Sequence, residues 1–183
     1  MIVLLYSVSL CKLIKESEKN MNEYEVRELI KSKFTTLLVN NHVCKMKNFM
    51  QHGTVDTYSH CLNVAVISYI IALKLGAKKI DINAMLTGAI LHDFYLYDWH
   101  EGRKRVEGIH GFTHPKTALK NATTYFELTN KEKNIIESHM FPLTITKVPK
   151  SREAFIVCCA DKICAIREYS SSLFYGKRIL TKY

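Results

Sequence analysis

A single compact all-α domain is what three features of this 183-residue chain predict. Hydrophobic residues make up 48% of it, enough for a sizeable core, whereas 7 Gly and 3 Pro are too few for the frequent turns of an all-β fold or for disorder. Apolar residues recur at helical spacing in several stretches. Residues that cap helices stand where those stretches begin.

Residues 1–20 do not fit that pattern. Met1 to Leu10 is apolar, yet no basic residue precedes it and no small-residue cleavage site follows. It is also far shorter than the ~20 residues that cross a bilayer. The expectation is an N-terminal extension of doubtful structure, with Met21 as the natural start and residues 21–183 as the domain. From Asn22 to about Leu38, Val26, Leu29, Ile30, Phe34, Leu37 and Leu38 form one helical stripe, with Glu23, Glu25 and Glu28 favourably placed near its start. A short helix around Val43 to Met50 is expected next, ended by Gly53, with His42 and His52 as ordinary surface histidines. Asp56 or Thr57 should cap a helix running to about Gly76, and Asp81 the helix after it, antiparallel to the first.

From Phe94 to Thr113 periodicity fails, and a loop that long reads as a lid or substrate wall. Pro115 suits the first turn of a helix running to about Leu128. Thr129 or Asn130 should cap another, which Pro142 stops. The Pro149 to Ser151 region opens a long helix. After about Tyr175 the chain reads as surface, and no internal repeat is evident.

Chemistry gathers at Leu91-His92-Asp93, where an apolar helix leaves the core with an imidazole beside a carboxylate, a pairing suited to a divalent metal. The dipeptide alone is more often a surface or cap feature. Two further residues change the odds. The line Ile71, Ile67, Val64 runs into His60, which therefore faces the core. Asp161 lies in an apolar run from Phe155 to Ile166, where an ionised carboxylate needs a partner of opposite charge. That partner is either a metal held with His60, His92 and Asp93, or more simply Lys162 or Arg167.

In this order, His60, His92-Asp93 and Asp161 resemble the HD-domain superfamily of metal-dependent phosphohydrolases over roughly residues 56–170. His114, in Gly111-Phe112-Thr113-His114-Pro115, and His139, in Ile135-Ile136-Glu137-Ser138-His139, fall where members with a two-metal centre carry two extra histidines. The resemblance implies an HD-domain-like helical bundle in which His60, His92, Asp93 and Asp161 hold a first metal. Asp93 would bridge, and His114 and His139 would complete a second site. It implies a metal-dependent phosphohydrolase cleaving a nucleotide or other phosphate ester through a metal-bound hydroxide. A non-catalytic metal- or nucleotide-binding regulatory domain is the alternative. The chain reads His139-Met140-Phe141-Pro142 where a subgroup cleaving cyclic dinucleotides carries Gly-Tyr-Pro, and Leu96 stands at that subgroup's lysine, so such substrates are not expected.

Catalytic candidates are Asp93 and His110, the latter read as a loop residue donating a proton to the leaving group because Gly111 and Pro115 argue against a helix there. His100 has a weaker claim. Arg103, Lys104, Arg105 and Lys162 are the candidates for phosphoryl contact. The mixed imidazole and carboxylate set favours iron or manganese, with zinc, nickel or magnesium possible. Six cysteines, none in a CxxC pair and most within apolar helices, fit a reducing, cytoplasmic setting better than a disulfide scaffold. The net charge of +9 is mostly scattered lysine without the clustered arginine and interleaved aromatics of a strand-binding groove. A small phosphorylated partner is thus expected, with no membrane, nucleic acid third in rank, and the oligomeric state left open.

Overall fold

The computed structural model describes residues 21–76, 79–100 and 109–180, with 172–180 as helix backbone alone. Eight α-helices and one small hairpin are found among them: α1 (Glu23–Lys33), α2 (Thr35–Leu38), α3 (Asn41–Cys44), β1 (Met50–His52), β2 (Val55–Asp56), α4 (Thr57–Lys74), α5 (Ile82–Leu91), α6 (His110–Tyr125), α7 (Asn130–Ser138) and α8 (Arg152–Leu180). The all-α expectation holds. None of the described helices is long and apolar enough to cross a membrane.

Local chemistry sets the helix starts. Asn22 and Glu25 form a capping box at α1, and Thr129 and Glu132 form another at α7. Asp56 accepts from Ser59 N, and Asp81 from Ala84 N, at the starts of α4 and α5. The Glu153 carboxylate on α8 accepts from Asp81 N at 2.7 Å and from Lys131 Nζ, tying the start of α5 to α7 and α8. At the far end of α4, Gly76 takes a φ of +84°, the left-handed turn that ends many helices.

Three expectations are corrected in detail. The first helix stops at Lys33 because Thr35 Oγ1 bonds back to the Lys31 and Ser32 carbonyls, competing with the ladder and dividing α1 from α2. Instead of one helix to Met50, α3 leads into a 3-10 turn (Lys45–Asn48), and the chain then folds into the β1–β2 hairpin with Gly53 at φ +58°. Finally, α6 begins at His110 rather than beside Pro115 and ends at Tyr125. Pro115 gives up its own bond to the Gly111 carbonyl, while Phe112 N and Thr113 N still reach the Ile109 carbonyl, so the turn closes ahead of it.

The central helix is α4, packed against α1, α5 and α8. Val64 and His60 are fully buried on the line drawn from Ile71 and Ile67. Five helices meet on one side: the first turn of α4, the C-termini of α5 and α7, the start of α6 and the inner face of α8. His60 and His92, from opposite ends of their helices, have ring centres 5.3 Å apart, so α5 runs antiparallel to α4 as expected.

Candidate metal centre

Each candidate ligand sits where a helix begins, ends or faces inward. His60 is in the first turn of α4, His92 is the C-cap of α5 with Asp93 next, His114 is in α6, His139 is the C-cap of α7, and Asp161 is on α8. All six are buried, His60 and His92 completely. The two C-caps bring negative helix ends toward the cluster, which favours a cation there.

The contacts divide around Asp93. Its Oδ2 lies 3.3 Å from His92 Nε2 and 3.8 Å from His60 Nε2, and its Oδ1 lies 3.2 Å from His114 Nε2 and 3.4 Å from His139 Nε2. Asp161 Oδ1 joins the first side, 3.2 Å from His60 Nε2 and 3.6 Å from His92 Nε2. One carboxylate therefore offers an oxygen to each of two groups of imidazole nitrogens.

The other ring nitrogens fix how these point. Nδ1 of His92, His114 and His139 lies 2.8, 2.8 and 2.7 Å from the carbonyl oxygens of Ala89, His110 and Ile136. A carbonyl only accepts, so each Nδ1 carries a proton and, in the neutral ring, leaves Nε2 bare and aimed at the cluster. His60 uses a carboxylate instead, with Nδ1 2.8 Å from Glu168 Oε2. Asn63 Nδ2 donates to Glu168 Oε1, and Arg27 Nη2 donates to Asn63 Oδ1, so the chain of bonds reaches α1.

This donor set fits a divalent cation. His92 Nε2 and Asp93 Oδ1 are buried without a hydrogen-bond partner. Such orphans are costly unless something binds them. His114 Nε2 and His139 Nε2 stand 2.8 Å apart, too close for two bare nitrogens without a proton or cation between them. Among the described residues, three subsets have atoms close enough to share an ion: His60, His92 and Asp161; His92, Asp93 and His139; and His52, His60 and Glu168.

Protonation in the metal-free protein tells the same story. Burial opposes charge on His60, but its hydrogen bonds to the Asp161 and Glu168 carboxylates outweigh it and push its pKa up to about 10. Burial likewise opposes charge on His92, yet Asp93 holds its pKa well above the ordinary value. Asp93 and Asp161 resist burial through their histidine neighbours and stay well below the usual carboxylate range. His139 is pulled down to about 4, chiefly by burial. The cluster thus draws positive charge to the first side as protons and keeps a neutral imidazole on the second.

The remaining candidates are distributed as follows. His110 is helical, a correction to the loop reading, and shares one face of α6 with His114, their rings stacked 4.5 Å apart. Burial and then His114 pull its pKa down to about 3, so it is neutral at pH 7. Tyr97, pushed up to about 12 chiefly by burial, keeps its proton, and its hydroxyl lies 2.9 Å from His110 Nδ1. Lys162 Nζ lies 3.1 Å from Asp161 Oδ2 and also bonds the His139 carbonyl. The simpler partner proposed for Asp161 is therefore real as well, on the oxygen turned from the cluster, while Arg167 pairs with Glu23 instead. His100 pairs with Asp98 at the surface. Arg103, Lys104 and Arg105 lie outside the described residues.

Sequence reasoning missed three neighbours and misread a fourth. His52, expected at the surface, is half-buried, its ring 5.1 Å from His60 and 4.6 Å from Tyr169. Glu168 stands seven residues beyond Asp161, two helical turns along the same face, a spacing that could have flagged it. Gln51 donates to Asp93 Oδ2 at 2.6 Å, and Tyr95 donates to Gln51 Oε1; neither carries a sequence signal.

The arrangement is a buried nitrogen and oxygen ligand set for divalent cations inside an all-helical domain. The sequence matches the HD domain family over residues 57–166, and the chain belongs to that family. HD domains are typically metal-dependent hydrolases, and they bind divalent metals. Comparison with curated proteins and with solved structures returned no match.

Proposed function

We propose that this protein is a metal-dependent phosphohydrolase that cleaves a nucleotide or other small phosphate ester in a reducing, cytoplasmic setting. The observation that carries the reading is Asp93, whose two oxygens face two separate groups of imidazole nitrogens. His60, His92, Asp93 and Asp161 would hold one ion, and Asp93 with His114 and His139 a second. The borderline nitrogens and hard oxygens suit iron or manganese best, with zinc, nickel or magnesium as alternatives. When bound, such ions make water nucleophilic at neutral pH and offset charge building on the phosphoryl oxygens.

The chain's own residues do the rest. The carbonyl and carboxylate partners on Nδ1 aim the four rings and keep a proton on Nδ1, so that Nε2 is the nitrogen each ring would offer a cation. In the tautomer whose Nδ1 accepts from the Tyr97 hydroxyl, the neutral His110 ring offers Nε2–H to the leaving oxygen as a hydrogen bond rather than as a transferred proton. Lys162 and the Arg103 to Arg105 run supply cations for the non-reacting phosphoryl oxygens. Free thiols at Cys44, Cys61, Cys158, Cys159 and Cys164 suit a reducing compartment.

The test is a matrix in which metal-free protein is refilled with each of Mn, Fe, Zn, Ni and Mg. Each form is assayed on phosphomonoesters, phosphodiesters and dinucleoside polyphosphates. Turnover should appear with Mn or Fe and vanish in His92→Ala. Tight nucleotide binding with no hydrolysis under any metal would replace the hydrolase by a regulatory domain.

A further inference from the structure

The bridging geometry raises a question of orientation. A carboxylate turns easily about its last bond, and a modest rotation would take Asp93 Oδ1 from its 3.2 Å approach to His114. Two of its neighbouring rings stand on each side, so the imidazoles do not favour one rotation by themselves. Among the described residues, Gln51 is the one side-chain donor to Asp93 outside the ligand set, with Nε2 2.6 Å from Oδ2. Gln51 is 5% exposed, and β1 of the hairpin delivers it into the cluster.

Gln51 is itself held in one orientation. The Tyr95 hydroxyl donates to Gln51 Oε1, so the amide must present its NH2 to Asp93 rather than its oxygen. Thr57 Oγ1 lies 3.2 Å from the Tyr95 hydroxyl and donates to the Phe49 carbonyl at 3.0 Å, closing the far side. Tyr95 is 1% exposed and is fixed from behind. Asn121 Nδ2 donates to the carbonyls of Phe94 and Tyr95, each at 3.0 Å. The next residue, Leu96, is held at φ +57°, a left-handed conformation unfavourable for leucine. Backbone strain of this kind persists where the surroundings over-determine it.

From this geometry we infer that Gln51 is a positioning residue for the metal centre, held by Tyr95, which locks Asp93 in the rotation that splits its oxygens between two cation sites. The inference rests on the two-site reading of Asp93 proposed above. It assigns the hairpin a purpose: β1 places an amide against the carboxylate that α5 delivers 42 residues later.

The test uses the full chain, stripped of metal and titrated with Mn(II) chloride by calorimetry, in wild type, Gln51→Leu, Tyr95→Phe and the double variant. Gln51→Leu keeps the volume and removes the donor. It should weaken Mn(II) binding roughly 10–100-fold, the usual effect of removing an outer partner of a ligand. Tyr95→Phe should weaken binding less in the wild-type background and not at all in the Gln51→Leu background, because it acts through the amide. Additive losses would overturn the inference, as would a lowered melting temperature with unchanged Mn(II) affinity in Gln51→Leu. If Gln51→Leu does not fold, Tyr95→Phe decides alone, and unchanged affinity there is the overturning result. A wild type that binds no divalent metal sinks the hydrolase reading together with the clamp, whereas wild-type affinity preserved in the variants sinks the clamp only.

Discussion

Gly88→Ala tests how closely the ligand-bearing helices must approach. Gly88 lies on α5, one turn before His92, and faces Ile135 on α7, one turn before His139. A Cβ there would stand 2.6 Å from Ile135 Cγ2 and 2.8 Å from Ile135 Cβ. Turning the Ile135 side chain can move Cγ2 but not Cβ, so relief to an ordinary 3.4 Å contact needs about 0.6 Å of separation between the helices. Overpacking of this sort costs about 1–3 kcal/mol. Alanine in place of glycine inside a helix returns roughly 0.8–1 kcal/mol. The clash should win, leaving a net loss of about 1 kcal/mol, equivalent to about 2–4 °C in melting temperature for a chain of this size. Urea titration of the metal-free proteins measures the loss. Because α5 ends in His92 and α7 in His139, the same separation should weaken Mn(II) affinity in calorimetry. A variant more stable than wild type by about 1 kcal/mol, with unchanged affinity, would show that helix propensity governs the position and refute the packing argument.

Metal uptake at pH 7 should release protons, because His60 is protonated in the metal-free protein and must bare Nε2 to ligate. Affinity should then fall about tenfold per pH unit for each proton released as the pH is lowered, and calorimetry in buffers of different ionisation enthalpy counts the protons; a count of zero contradicts the reading. In the metal-free chain the His60 pKa is raised, so its contribution to stability is complete below about 6.5 and lost as pH rises through about 10. Unfolding measured across that window should show the decline. Metal analysis should find His92→Ala unable to bind either ion, while His114→Ala or His139→Ala keeps one and loses most turnover. Full activity in His114→Ala at one metal per chain would return the site to four ligands.

Much of this centre is written in helical periodicity. His60 continues the Val64 and Ile67 line, and Asp161 stands alone among apolar neighbours, so both could be placed at the core from spacing and from the cost of burying charge. His139 follows Ile135 and Ile136 along the inner side of α7 in the same way. What periodicity cannot carry is a contact made by an element too short to have a period. Gln51 reaches Asp93 from a three-residue strand, and nothing in Met50-Gln51-His52 marks it. His110 was misplaced for another reason: proline is a frequent first residue of a helix, but here the turn ahead of Pro115 closes onto the Ile109 carbonyl. The carbonyl partners of the ligand histidines are equally silent, since every residue has a carbonyl.

Those carbonyl partners divide the ligands by how far away their instructions lie. His92, His114 and His139 are aimed by oxygens three or four residues back in the chain, so each ring and its orienter move together as one rigid unit. Wherever the helix end goes, the lone pair goes with it, and substitutions elsewhere can shift such a ligand but hardly swivel it. His60 is different, because its aim comes from Glu168, 108 residues later on another helix. A disturbance at Asn63, Arg27 or the later turns of α8 has a direct route to the direction of this one ring. Sequence drift in relatives should therefore leave three of the histidine directions intact and express itself as variation in the fourth.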